Sequence, residues 1–144
     1  MLAKLLAGSP NNVSYENIQE ILQTRPSNVY IINTLKTDKQ HYLISSTLEV
    51  NKEEKLINNL LKKYRKDTVI IIYGENAYDE TIFNKYYQLN SLGFTNCFIY
   101  MGGLFEWFLL QDVYGPQSFP SISTPINGCL EFKPTKNLTI PVHV

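Results

Sequence analysis

Residues Gly74–Glu80 read GENAYDE and follow VIIIY, a β-branched run too short for a helix and apolar enough for a buried strand. Ligands of open parallel sheets bind at the carboxyl ends of strands, where helix N-termini present unpaired N–H groups, so this is where chemistry is expected. Glu75, Asp79 and Glu80 put three carboxylates beside Asn76, Ala77 and Tyr78. Such a cluster is either a cation site or a solvated acidic turn. EF-hand spacing is absent and Asp79 and Glu80 are adjacent, so no shared metal sphere is expected and solvation is the plainer reading. Gathered carboxylates also oppose an incoming anion. Asp79 is placed to cap the next helix, taking N–H groups that a ligand would use.

Nucleophiles are few. The chain has two cysteines, Cys97 and Cys129, and two histidines, His41 and His143, with no CxxC spacing and no set that completes a zinc site. Cys97 lies inside the strand-like run NCFIY, where a thiol is expected to be a small buried hydrophobe. Cys129 follows Gly128 in a proline-rich stretch with nothing nearby in sequence to activate it. A Cys129 and His41 pair would need the fold to bring them together, and His143 is expected to be exposed.

At 144 residues the chain fits a single domain, and 13 basic residues against 13 acidic ones leave no net charge to draw it to nucleic acid or an anionic membrane. Neither partner is expected. No apolar run reaches membrane-spanning length, and Met1–Pro10, despite Leu2, Leu5 and Leu6, is too short for a signal segment. The expected setting is the reducing cytoplasm, with no cofactor. Aromatic residues make up 12% of the chain, which serves cores as readily as recognition surfaces.

The elements that must position these groups follow from periodicity. Ser14 caps a short amphipathic helix carrying Ile18, Ile21 and Leu22, which Pro26 stops, and Val29–Ile32 reads as a strand. Residues 34–50 are mixed, with short strand candidates at Tyr42–Ile44 and Thr47–Val50. A helix after Asn51 has Glu53 and Glu54 at its start, apolar positions from Leu56 to Tyr64, and Lys62, Lys63, Arg65 and Lys66 at its end, complementing its dipole. Those lysines read as a solvated face.

After VIIIY and its loop comes a helix with Ile82, Phe83, Tyr86 and Leu89 that Gly93 closes, then the strand Asn96–Tyr100, which makes a βαβ unit. Leu104–Val113 is apolar nearly all round and is expected to be buried on most sides. Beyond Gly115, prolines 116, 120, 125, 134 and 141 exclude a long helix or central strand, leaving an extended arm that packs across the domain or reaches a partner. The expected division is an N-terminal segment 1–13, a domain 14–115 and an arm 116–144.

Residues Val69–Gly115, above all LGFTNCFIYMGGLFEWFLLQDVYG, resemble the part of rhodanese-family domains that carries their active loop and the Leu-Gly-Phe, strand, Gly-Gly, aromatic-helix signature after it. The resemblance extends more loosely from Ser14 to Tyr114, and His41 matches a mostly structural family histidine. It implies a three-layer α/β/α fold with a mostly parallel sheet of about five strands. It also implies that Gly74 stands where active rhodaneses and related dual-specificity phosphatases place a cysteine directly after the central strand. There the loop N–H groups and helix dipole stabilise a thiolate, whereas Gly74–Thr81 holds no Cys, Arg or Lys.

The chain is thus similar to cysteine-lacking members with a GGLFEW segment in eukaryotes and large DNA viruses. The expectation is a nucleophile-lacking domain that binds a protein partner, associates with itself or builds a larger particle. Phe105, Trp107, Phe108 and Phe119 are its candidate contact residues. The alternative is an enzyme transferring sulfur or hydrolysing phosphate through Cys129.

Overall fold

The computed structural model describes residues 10–65, 67–135 and 141. Expectations for Leu2, Leu5, Leu6, Lys66 and His143 lie outside the described residues. Strand β1 (Asn11–Val13) leads into helix α1 (Tyr15–Thr24), where the Ser14 backbone N–H donates to Asn17 Oδ1 at 2.9 Å. Helix α1 ends at Arg25 in the left-handed conformation, just before Pro26. Strand β2 (Val29–Asn33), a 3₁₀ turn (Thr37–Tyr42) and helix α2 (Val50–Lys63) follow. Next come strand β3 (Val69–Tyr73), helix α3 (Thr81–Ser91), strand β4 (Cys97–Tyr100), helix α4 (Gly103–Tyr114) and a second 3₁₀ turn (Gly128–Phe132).

The sheet is parallel throughout, in the order β1-β4-β3-β2. Its register places Ile31, Ile71 and Phe98 in one row and Ile32, Ile72 and Ile99 in the next. Because successive side chains alternate faces, the two rows feed separate cores. Ile31, Ile71, Tyr73 and Tyr100 pack with Ile18 of α1 and with Leu104, Trp107 and Phe108 of α4. Ile32, Ile70, Ile72, Cys97 and Ile99 pack with Ile57 and Leu60 of α2 and with Ile82, Tyr86 and Leu89 of α3. Three layers result. Lys85 of α3 also meets Glu53 of α2 at 2.6 Å.

Among the described residues four strands form where about five were expected: Asn11–Val13, expected to lie outside the domain, pairs with β4, and neither candidate in residues 34–50 becomes a strand. The missing edge strand is reduced to a bridge between Thr47 and Ile31, with the Leu48 N–H donating to Ile31 O at 2.8 Å. Ser46 turns in the left-handed region, φ 67°, and Glu49 already caps α2, so only two extended residues fit between them. Tyr42–Ile44 forms no strand either. Tyr42 closes the 3₁₀ turn, and Ile44 makes only an isolated bridge with Ser121.

Helix α4 is less covered than its composition suggests. Leu104, Trp107, Phe108 and Gln111 are buried, but Leu109 and Val113 are 43% and 66% exposed because one side of the helix has no neighbouring layer. Beyond Gly115 the proline-rich segment lies back on the α1 and α4 face. Phe119 and Phe132 are fully buried there. Ser45 N–H to Pro120 O and Ile122 N–H to Leu43 O, at 3.2 and 2.8 Å, hold this segment against the residues after the first 3₁₀ turn.

A candidate functional loop closed by its own side chains

Strand β3 ends on Tyr73, whose buried phenol lies 3.1 Å from the Ile44 N–H and 2.7 Å from the Thr47 hydroxyl. Burial holds this phenol well above the ordinary tyrosine range. The loop then folds on its own short polar side chains. Asp79 Oδ2 accepts from the Glu75 N–H and Oδ1 from the Thr81 N–H, each at 3.0 Å. Asn76 Oδ1 accepts from the Tyr78 N–H at 2.9 Å, and Asn76 O from the Asp79 N–H at 3.2 Å. Asp and Asn side chains that bond backbone two residues on make such turns without strain. Four N–H groups at this end of the sheet, those of Glu75, Tyr78, Asp79 and Thr81, are taken up by the loop itself.

The position of Asp79 also closes the space at Gly74. A Cβ on Gly74 would lie 2.9 Å from Asp79 Cγ, closer still to Oδ2, and 3.1 Å from Ile82 Cγ2. The carboxylate therefore stands where any side chain at 74 would begin.

Helix α4 fixes the other side of the loop. Leu104 and Phe105, among its free N-terminal donors, give their N–H groups to Gly74 O and Glu75 O at 3.1 and 2.8 Å. Gly103 permits this approach with φ +63°, and a Cβ there would meet Gly74 O at 2.6 Å and Asn76 N at 2.9 Å. The third fastening comes from the proline-rich segment, whose Phe132 carbonyl accepts from buried Asn76 Nδ2 at 2.9 Å.

Over the loop lies a solvent-open cavity of about 580 Å³, walled by the loop together with Thr34, Lys36, Thr81, Lys133 and Thr135. Glu75, Asp79 and Glu80 thus share the rim with two lysines, so its charge is mixed. Nearby, Lys39 pairs with Glu131 at 2.5 Å, which raises the lysine pKa and lowers that of the carboxylate, and Lys39 Nζ sits 5.5 Å from the Phe132 ring centre. Among the described residues no three His, Cys, Asp or Glu side chains gather to hold a metal ion.

The remaining sequence candidates are dispersed. Cys97 is buried under α3, its thiol pushed up to about 12 by desolvation. Cys129 lies in the second 3₁₀ turn, half-buried against the aromatic core, and His41 is exposed at the end of the first, edge-on to Tyr42. Of the candidate contact rings, Trp107, Phe108 and Phe119 are buried, and Phe105 is half-buried. Trp107 packs edge-on to Phe119 at 5.0 Å, and Phe108 stacks on Phe132 at 5.6 Å. Trp107 and Phe108 pack the interior beneath the segment after Gly115, to which Phe119 belongs, so these three rings offer no contact surface in this conformation and Phe105 alone of the four stays partly exposed.

Sequence reasoning named Trp107 only as a contact candidate and did not single out Gln111, yet both fasten that segment, Trp107 Nε1 donating to Pro120 O at 3.1 Å and Gln111 Nε2 to Phe119 O at 2.8 Å. Gln111 alone carried a signal, as an uncharged polar residue inside an apolar helix.

A family model for the rhodanese-like domain matches residues 10–109. The chain belongs to the rhodanese-like domain family. Solved structures share its fold at low identity. The solution structure of a rhodanese-like domain from an Anabaena species is 15% identical, with a TM-score of 0.53 over 94% of this chain and 99% of that one. The As-Sb reductase from Leishmania major is 15% identical, with a TM-score of 0.51 over 74% of this chain and 80% of that one. Wild-type EanB is 16% identical, with a TM-score of 0.54 over 80% of this chain but only 28% of EanB. No curated protein matches the sequence. Among the described residues no helix is long and apolar enough to cross a membrane.

Proposed function

We propose that this rhodanese-like domain is a noncatalytic module that binds another protein or serves as a structural part of a larger assembly, in the cytoplasm or in a particle. The observation that carries this reading is the Asp79 carboxylate in the space where a side chain at Gly74 would start. A loop built this way lacks the attacking atom and presents a fixed negative charge where a persulfide or phosphate would sit. Support for binding comes from apolar side chains left in water: Leu109 and Val113, one turn apart on α4, and Ile126 and Leu130 beyond it. Exposed apolar surface of this kind is what protein partners cover.

The test has two arms. Sulfur transfer from thiosulfate to cyanide and hydrolysis of p-nitrophenyl phosphate are expected to stay at the blank rate. Turnover that disappears in Cys97→Ser or Cys129→Ser would overturn the noncatalytic reading. In parallel, sedimentation and affinity capture from native extract compare the chain with an Ile126→Asp/Leu130→Asp variant. Loss of a stoichiometric partner or of self-association is expected. Truncation after Gly115 is the wrong comparison, because it would remove Phe119 and Phe132 from the core.

A further inference from the structure

We infer that the turn Gly128–Phe132 is a latch on the degenerate loop, so that loosening one loosens the other and a partner drawing off the turn opens the cavity above the loop. The inference does not depend on whether the domain is catalytic. One side chain makes the joint: Asn76 holds the loop by accepting the Tyr78 N–H through Oδ1 and holds the turn by donating to Phe132 O through Nδ2. Being buried, Asn76 cannot exchange these partners for water without opening the structure.

The turn in turn depends on Phe132, fully buried against Phe108 and edge-on to Tyr42, and on the Lys39–Glu131 pair outside it. The residues after the latch complete the coupling, since Lys133 and Thr135 wall the cavity whose floor is the loop. Releasing the turn therefore removes a wall and one of the floor's three fastenings together. Cys129, within the turn and half-buried, reports its state, while buried Cys97 stays silent.

Coupling of this kind is reciprocal, so the experiment perturbs each side and reads the other. Asn76→Ala is read at the turn, by the rate of Cys129 modification with a disulfide probe and by hydrogen exchange of the Leu130 and Lys133 amides. Phe132→Ala is read at the loop, by exchange of the Glu75 and Tyr78 amides. Each rate is expected to rise on the order of tenfold, the scale of one lost buried hydrogen bond, while β3 amides keep their protection. Glu131→Gln leaves the core intact and is expected to raise the Cys129 rate by a smaller factor in the same direction. Wild-type loop exchange in a Phe132→Ala protein whose turn amides exchange freely would overturn the latch. If Phe132→Ala fails to fold, an unchanged Cys129 rate in both Asn76→Ala and Glu131→Gln overturns it equally.

Discussion

Gly74 and Gly103 meet at the carboxyl end of the sheet, but the space above each α-carbon is closed by different matter. At Gly103 the obstruction is backbone, the Gly74 carbonyl and the Asn76 nitrogen, and φ is positive as well. At Gly74 it is mainly the far end of one side chain, Asp79. Gly103 is a requirement of the scaffold, because no neighbour can move without shifting the loop and α4 together. Gly74 is a local choice, made by a residue that could itself be exchanged. This contrast separates what the family fold requires from what one exchangeable side chain decides.

The largest effect expected from this contrast is at Gly103. Gly103→Ala combines a strained φ with collision against fixed backbone and should cost about 3 kcal/mol or more in urea unfolding. Adding Asp79→Ala should recover none of it. A loss under about 1 kcal/mol would mean that the α4 start yields easily, and the two glycines would then be alike.

Gly74→Ala should cost less, roughly 1–3 kcal/mol, as an overpacked methyl does. Asp79→Ala alone loses the acceptor of the Glu75 and Thr81 N–H groups, about 1–2 kcal/mol. The double variant removes the collision, so it should be less destabilised than the sum by about 1 kcal/mol or more. Strict additivity would show that Asp79 does not close the Gly74 space. Gly74→Cys alone should give no sulfur transfer, since the acidic loop around it is unchanged.

Much of the scaffold could be read directly. VIIIY, NCFIY and the Val29–Ile32 run declare themselves because buried parallel strands carry continuous apolar residues, and GGLFEW does so because Gly103 must be glycine. Asp79 as an acceptor at the helix start was legible too, since short acceptors there have that use, although Glu80 holds the cap position and Asp79 takes the Thr81 N–H from one residue earlier. Residues 34–49 were not. Their structure rests on a 3₁₀ turn and on single bridges to Ile31 and Ser121, which leave no period in the sequence. Whether Trp107, Phe108 and Phe119 serve the core or a contact surface was not legible for another reason. It depends on the return of the chain after Gly115, a distant event that no local pattern records. Even at Asp79 the sequence shows a capping residue but not that its carboxylate fills the space over Gly74.

The smallest expected effect concerns the strands that support both glycines, and it appears only in alkali. Cys97 is held neutral by burial, its thiol raised from 9.0 to about 12, and Tyr73 and Tyr100 lie above their ordinary value of 10.0, Tyr100 with the Glu106 carboxylate beside it. Each group is an acid whose neutral form the fold prefers, so its contribution is fully present below the unfolded pKa and is lost as pH rises past it. Stability should therefore be flat from about pH 6 to 8 and fall by about 1 kcal/mol by pH 9.5, mostly through Cys97. Cys97→Ala, whatever its stability at neutral pH, should lose most of that slope in urea titrations between those values. Gly74→Ala should keep it in full, because its strain lies in the loop and not in the strands below. A slope altered by Gly74→Ala but indifferent to Cys97→Ala would place the alkaline weakness in the loop and undo the separation between scaffold and site.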